Sequence, residues 1–196
     1  MPSVRKEDRM LPASEIKSGM FLRMDKNLYK VSSVEYHMGG GKMGGLVHVK
    51  LKDIRTGLFI ERKFKPEEKV DQVEVERRNL EYLYKDADGY YMLDPESFDQ
   101  IVLAKHLLES FDPFLQPNMK LPVEFLGEEP VNVILPEWVE LEVVSTVHSI
   151  SSLQDEVYKP ATLSNGMEIQ VPQFIKVKDV VRVSVSTRKY LERARK

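Results

Sequence analysis

Leu28-Tyr29-Lys30-Val31-Ser32-Ser33-Val34-Glu35-Tyr36 is followed, after His37, by Met38-Gly39-Gly40-Gly41-Lys42-Met43-Gly44-Gly45 and then by Leu46-Val47-His48-Val49-Lys50-Leu51. Tyr29, Val31, Val34 and Tyr36 suit a half-buried strand with one irregularity in its alternation, and Val47 and Val49 alternate with His48 and Lys50 as a second strand. The segment between them is a long hairpin tip with almost no side chains. Upstream, Met20-Phe21-Leu22-Arg23-Met24 and the turn residues Asp25-Lys26-Asn27 add a strand. Downstream, Arg55-Thr56-Gly57 turns into a further strand, Leu58-Phe59-Ile60-Glu61-Arg62-Lys63-Phe64. Four short strands with tight turns in about 45 residues predict a small barrel.

The same pattern recurs twice. A strand is expected over 75–84, and Lys85-Asp86-Ala87-Asp88-Gly89 turns it into Tyr90-Tyr91-Met92-Leu93. Asp94-Pro95-Glu96 has the chemistry of a helix start, and Phe98, Ile101, Val102, Lys105, Leu108 and Glu109 predict an amphipathic helix over 98–111. Strands over 123–126 and 131–135 close the segment. In the last third, Val139, Leu141 and Val143 alternate with acids, a polar stretch spans 145–159, and strands are expected over 167–171, 174–177 and 180–185. The fold class is therefore all-β, three small barrels in series: an extension over 1–10, then domains over 11–74, 75–136 and 137–196. Each domain holds only about 60 residues, marginal alone, so neighbours are expected to pack together.

The chain has 196 residues, no cysteine and a net charge of −2. Without cysteine there is neither a disulfide framework nor a thiolate-held metal site. No apolar run approaches the roughly 20 residues of a membrane helix, and residues 1–9 lack the apolar core of a signal peptide. The expectation is a cytoplasmic protein with no membrane contact. The small total charge hides a partition. Residues 1–74 carry 15 basic and 11 acidic side chains, 75–136 carry 5 and 12, and 137–196 carry 9 and 8. A polyanion would be met by the two ends and repelled by the middle.

Five of the ten glycines fall at Gly39, Gly40, Gly41, Gly44 and Gly45, around the single charge of Lys42. Glycine lets a backbone approach another molecule closely, at an entropic cost that a partner must offset. A flexible tip kept soluble by its lysine and a tip that binds another molecule fit this physics equally well. It is no phosphate-binding P-loop, because Gly-Lys-Ser/Thr is absent and a strand follows instead of a helix. His37, His48, His106 and His148 lie in separate segments without metal-ligand spacing, and no serine, histidine and acid form a nucleophile motif. Lys42 as an amine nucleophile would need a buried pocket to lower its pKa, which a glycine tip does not supply. No cofactor, metal or enzymatic activity is expected.

Several stretches together resemble the bacterial elongation factor P family: the glycine-rich tip with its lysine, Val49-Lys50-Leu51, Arg55-Thr56-Gly57, Lys63-Phe64-Lys65, Leu83-Tyr84, Phe98-Asp99-Gln100, and Lys159-Pro160-Ala161-Thr162-Leu163-Ser164-Asn165-Gly166 before Val171-Pro172. The resemblance runs from about Leu11 to the C-terminus, and the Lys159 stretch is its most specific part. It implies an SH3-like (KOW-like) domain and two oligonucleotide-binding (OB) barrels in an L shape that mimics tRNA. It further implies a monomer that binds the 70S ribosome between the P and E sites and relieves stalling at consecutive prolines. Lys42 falls on the family lysine that reaches the CCA end of peptidyl-tRNA and is often lengthened by a modifying enzyme, with Gly39, Gly40, Gly41, Met43, Gly44 and Gly45 as its scaffold. Tyr190 and Arg193 fall where the family has a tyrosine and an arginine near tRNA, and Gln154 and Asp155 in the loop implicated in E-site codon contact. Three stretches depart from the family. Gly40-Gly41-Lys42-Met43 stands for Pro-Gly-Lys-Gly, the loop over 149–156 lacks its Gly-Asp glycine, and Val183-Ser184-Val185-Ser186-Thr187-Arg188 replaces Val-Asp-Thr-Arg. These mark a divergent member or a paralogue. The alternative is an RNA- or protein-binding module of the same fold without polyproline rescue.

Overall fold

A computed structural model describes residues 9–37, 45–147 and 158–194. The first domain holds β1 (Arg9–Pro12), a 3₁₀ turn (Ala13–Glu15), β2 (Phe21–Met24), β3 (Asn27–His37), β4 (Leu46–Asp53), β5 (Phe59–Phe64) and β6 (Lys69–Val73). They form one antiparallel sheet in the order β1-β6-β2-β3-β4-β5, curled around Leu11, Leu22, Val31, Val47, Val49 and Leu51. Asp25 and Lys26, both with positive φ, make the two-residue turn between Met24 and Asn27, as the right-handed twist of a hairpin requires. The expected irregularity in β3 is a register shift between Val31 and Ser33. It keeps Val31 buried opposite Leu51 while Val34 meets Val49. At the next turn the Asp53 carboxylate accepts the amides of Arg55 and Thr56, and Gly57 adopts φ +72.

β1 corrects one expectation. Arg9 and Met10, assigned to an extension, are strand residues opposite Gln72 and Asp71 of β6. Four residues with only Leu11 deeply buried show no readable period, and their partner lies far along the chain.

The second domain contains β7 (Glu76–Lys85), β8 (Tyr90–Leu93), β9 (Gln100–Leu103), α1 (Lys105–Leu108), a 3₁₀ turn (Glu109–Phe114), β10 (Lys120–Leu126) and β11 (Glu129–Val133), with sheet order β11-β10-β7-β8-β9. The helix predicted over 98–111 is thus absent from its first half only. Phe98 sits at φ +61, and Gln100 to Leu103 pair with Leu93 to Tyr90 as an edge strand. The Asp94 carboxylate accepts the Glu96 amide and the Asp94 carbonyl accepts that of Phe98. That turn uses up the backbone groups that would have started a helix, and β-branched Ile101 and Val102 suit the strand. Helical turns begin only at Lys105 and bury Leu108, Phe111 and Phe114. Gly89 is required at its position, since a Cβ there would meet the Leu103 carbonyl oxygen at 2.3 Å.

The third domain is built of β12 (Trp138–Thr146), β13 (Tyr158–Leu163), β14 (Glu168–Pro172), β15 (Val180–Ser184) and β16 (Tyr190–Arg193), in the order β14-β13-β12-β15-β16. The strand expected over 174–177 is a pair of turns that drops Ile175 into the core and leaves Phe174 and Val177 outside. β13 lies partly inside the stretch read as polar. Lys159 hides there because its stem is buried and its ammonium donates to the Val147 carbonyl at 3.1 Å.

Candidate nucleic-acid interface

The β3–β4 hairpin ends at the pair His37–Leu46. Residues 38–45 connect these strands; Lys42, Gly39, Gly40, Gly41, Met43 and Gly44 fall outside the described residues, and Gly45, just before β4, is half-buried. The stem below is braced. Tyr36 Oη donates to the Ser14 carbonyl at 2.6 Å, fastening the outer end of the hairpin to the 3₁₀ turn. Register sets Glu35 opposite His48 and His37 opposite Leu46, which makes the two histidines diagonal neighbours with ring centroids 4.2 Å apart. The sequence had separated them, since only strand pairing brings them together. Burial first, then His37 and Lys63, holds the His48 imidazole below its ordinary range, which favours the neutral ring at physiological pH.

Outward rows on this stem carry Glu35, His48 and Lys63, then Ser33, Lys50 and Glu61, around a shallow cavity of about 300 Å³. Lys50 Nζ lies 5.2 Å from the centre of the exposed Phe59 ring. Exposed Lys50, Lys52, Arg62 and Lys63 make β4 and β5 a cation-rich but mixed surface, the kind that meets a phosphate backbone.

In the third domain Tyr190 and Arg193 share β16, opposite Val183 and Val181. Tyr190 packs against the core, and burial pushes its hydroxyl pKa up. The Arg193 guanidinium lies 6.0 Å from the Phe174 ring centre. Phe174 and Tyr158 are both more than half exposed. They are aromatic neighbours that the sequence reading missed, because Phe174 was absorbed into an expected strand and Tyr158 into a polar stretch. Together the four supply ring faces and a cation, the components of a stacking surface for bases. Gln154 and Asp155 lie outside the described residues.

The Lys159–Gly166 stretch turns out to be scaffold. Ala161 and Leu163 are buried in β13, Gly166 takes φ +82, and Asn165 Nδ2 donates across to the Pro113 carbonyl of the second domain at 2.8 Å. Among the described residues no group of three or more His, Asp or Glu could hold a metal ion, and no helix is long and apolar enough to cross a membrane.

Residues 12–70 match the elongation factor P KOW-like domain, 75–133 the elongation factor P OB domain, and 139–193 the elongation factor P C-terminal domain. The chain is 41% identical over 187 residues to elongation factor P of Moorella thermoacetica, a match covering 94% of this chain and 100% of the relative. With elongation factor P of Caldanaerobacter subterraneus subsp. tengcongensis it shares 37% identity over 188 residues, at the same coverage of both chains. Among solved structures, eukaryotic translation initiation factor 5A from Methanococcus jannaschii has the same fold over 68% of this chain and 100% of its own, with a TM-score of 0.51 at 16% identity. Matched in order over nearly its whole length, the chain belongs to the elongation factor P family of translation elongation factors.

Proposed function

We propose that this elongation factor binds the 70S ribosome between the P and E sites and promotes peptide bond formation at stalling motifs such as consecutive prolines, with Lys42 contacting the CCA end of peptidyl-tRNA. The observation that carries this reading is the stem. Paired up to His37 and Leu46 and tied to Ser14 through Tyr36, it is a rigid support for a loop containing one cation and no other bulk than two methionines. Such a tip fits a narrow site lined by RNA. The mechanism needs no acid or base from the protein. Proline attacks poorly, and holding peptidyl-tRNA in an attack-ready geometry lowers the entropic part of the barrier. Tyr190 and Arg193 would add tRNA contacts at the far end, and Gln154 and Asp155 a contact at the E-site codon. This reading includes a monomer in the cytoplasm and a lysine-modifying enzyme that recognises the tip.

Lys42→Ala is expected to abolish rescue in a reconstituted polyproline translation assay while leaving the thermal midpoint unchanged. Rescue at the unmutated level would overturn the mechanism. A module without rescue activity is favoured by the missing glycine in residues 149–156. Ribosome profiling of a deletion strain separates the two, since pauses at proline runs arise only under the first.

A further inference from the structure

The second domain turns an aromatic face outward. Tyr84 lies opposite Tyr91, and Tyr91 opposite Val102, in one cross-strand row on the side away from the core. The two tyrosine rings stack, with centroids 4.5 Å apart and planes 13° from parallel. Gln100 Nε2 donates to Tyr84 Oη at 3.0 Å. The Tyr84 ring is therefore held at its polar end and stacks on Tyr91, while Tyr84 and Val102 remain 48% and 43% exposed.

Two residues before Gln100 stands Phe98, 78% exposed and in the left-handed conformation that bulky residues rarely adopt. Its loop is closed by hydrogen bonds from the Asp94 amide to the Asp99 carbonyl and from the Phe98 amide to the Asp94 carbonyl. A strained backbone thus presents a large ring to the outside. Scattered exposed apolar residues are ordinary, whereas a fixed cluster of them marks a contact surface.

Charge selects the partner. From Lys85 to Lys105 there are two basic residues against Asp86, Asp88, Asp94, Glu96 and Asp99, and Lys85 is itself paired with Asp112 at 2.6 Å. Bases stack on aromatic rings only where cations receive the phosphates, and this field repels them. Arginine and lysine gain from both the rings and the carboxylates. The third domain shows the same chemistry within the chain: the Arg182 guanidinium lies 4.1 Å from the Trp138 ring centre and bonds Glu140 and Glu192.

We propose that the face built from Tyr84, Tyr91, Phe98 and Val102 docks a lysine- and arginine-rich segment of a ribosomal protein. This rests on the ribosome as partner but not on the Lys42 mechanism. With benzoylphenylalanine in place of Phe98, illumination of the full chain on purified bacterial 70S ribosomes is expected to give an adduct within a Lys/Arg-rich ribosomal-protein peptide, identified by mass spectrometry. An adduct to ribosomal RNA, or none although the chain co-sediments with ribosomes, overturns the proposal. Failure to co-sediment at all overturns the ribosome reading and this one with it. Phe98→Gly suits the positive φ and removes only the ring, so the loop stays folded. Combined with Tyr84→Ser it is expected to weaken ribosome binding by roughly five- to tenfold, Phe98→Gly alone leaving the thermal midpoint undiminished, and unchanged binding by the double variant would overturn the proposal.

Discussion

Between the first and second domains the apolar contact is a small cluster of Phe21, Val73 and Val131, rimmed by Leu28, Ile54, Val75 and Leu126. From the second domain to the third, one continuous set of buried side chains runs from Leu80 through Phe111 and Phe125 to Leu141, Val171 and Val183. The smaller junction is supplemented by polar bonds. Glu124, nearly buried, accepts Lys30 Nζ from the first domain at 2.7 Å, with Asn132 Nδ2 at 2.8 Å and Arg77 Nη2 at 3.4 Å from its own. Apolar burial holds surfaces together without directing them, whereas a buried carboxylate with several donors fixes an angle. The second and third domains thus form one body through shared core, and the first, which carries the lysine loop, is aimed by a directional latch.

The harshest test of this contrast is Phe114→Ala, which opens a cavity in the shared core. It is expected to cost about 3–5 kcal/mol and to unfold the second and third domains in one urea transition, with fluorescence of the single Trp138 following. A third domain that unfolds separately at an unshifted midpoint would break the comparison. Glu124→Ala strips Lys30 and Asn132 of their acceptor and is expected to cost about 2 kcal/mol. The distance distribution between spin labels on the first two domains should broaden; a distribution as narrow as before would mean that the Phe21 cluster alone sets the angle. Asn165→Ala leaves the Pro113 carbonyl unpaired, for about 1–2 kcal/mol with no change in domain orientation.

Asp53, beside Ile54 at the first junction, gives the smallest effect and a pH signature. The Thr56 amide foremost, against the opposing effect of burial, holds its carboxyl below the ordinary range. The unfolded chain therefore binds that proton more readily. The stabilisation is complete above the unfolded carboxylate pKa of about 3.9 and is lost as pH falls through the lower folded value. Asp53→Asn is expected to cost about 1 kcal/mol at neutral pH and to flatten that part of the acid-unfolding profile. An identical profile would remove Asp53 from the account.

What could be read early was short-ranged. The β2–β3 and β3–β4 hairpins and the irregularity near Ser32 follow from alternation and turn residues within a few positions. The first half of the window over 98–111 misled because its apolar spacing fits one long helix as well as a strand followed by short helical turns. The Asp94 turn and an open edge beside β8 decided between them. Of the candidate site, Tyr190 and Arg193 were named from the chain, while Phe174 and Tyr158 join them only through the folding of the third domain, which sets Phe174 beside Arg193 and leaves both rings more than half exposed.

By itself the sequence determined an all-β chain with three barrels, the lysine-tipped hairpin and the family, because these depend on local pattern and on motifs carried in order. Tertiary structure alone decided that β1 pairs with β6, that Ile175 fills a core from within a turn, and that His37 meets His48. It also decided that Glu124 latches one domain while a common core fuses the other two. Each of these joins residues distant along the chain, and the free energy that selects them exists only once both partners have left water together.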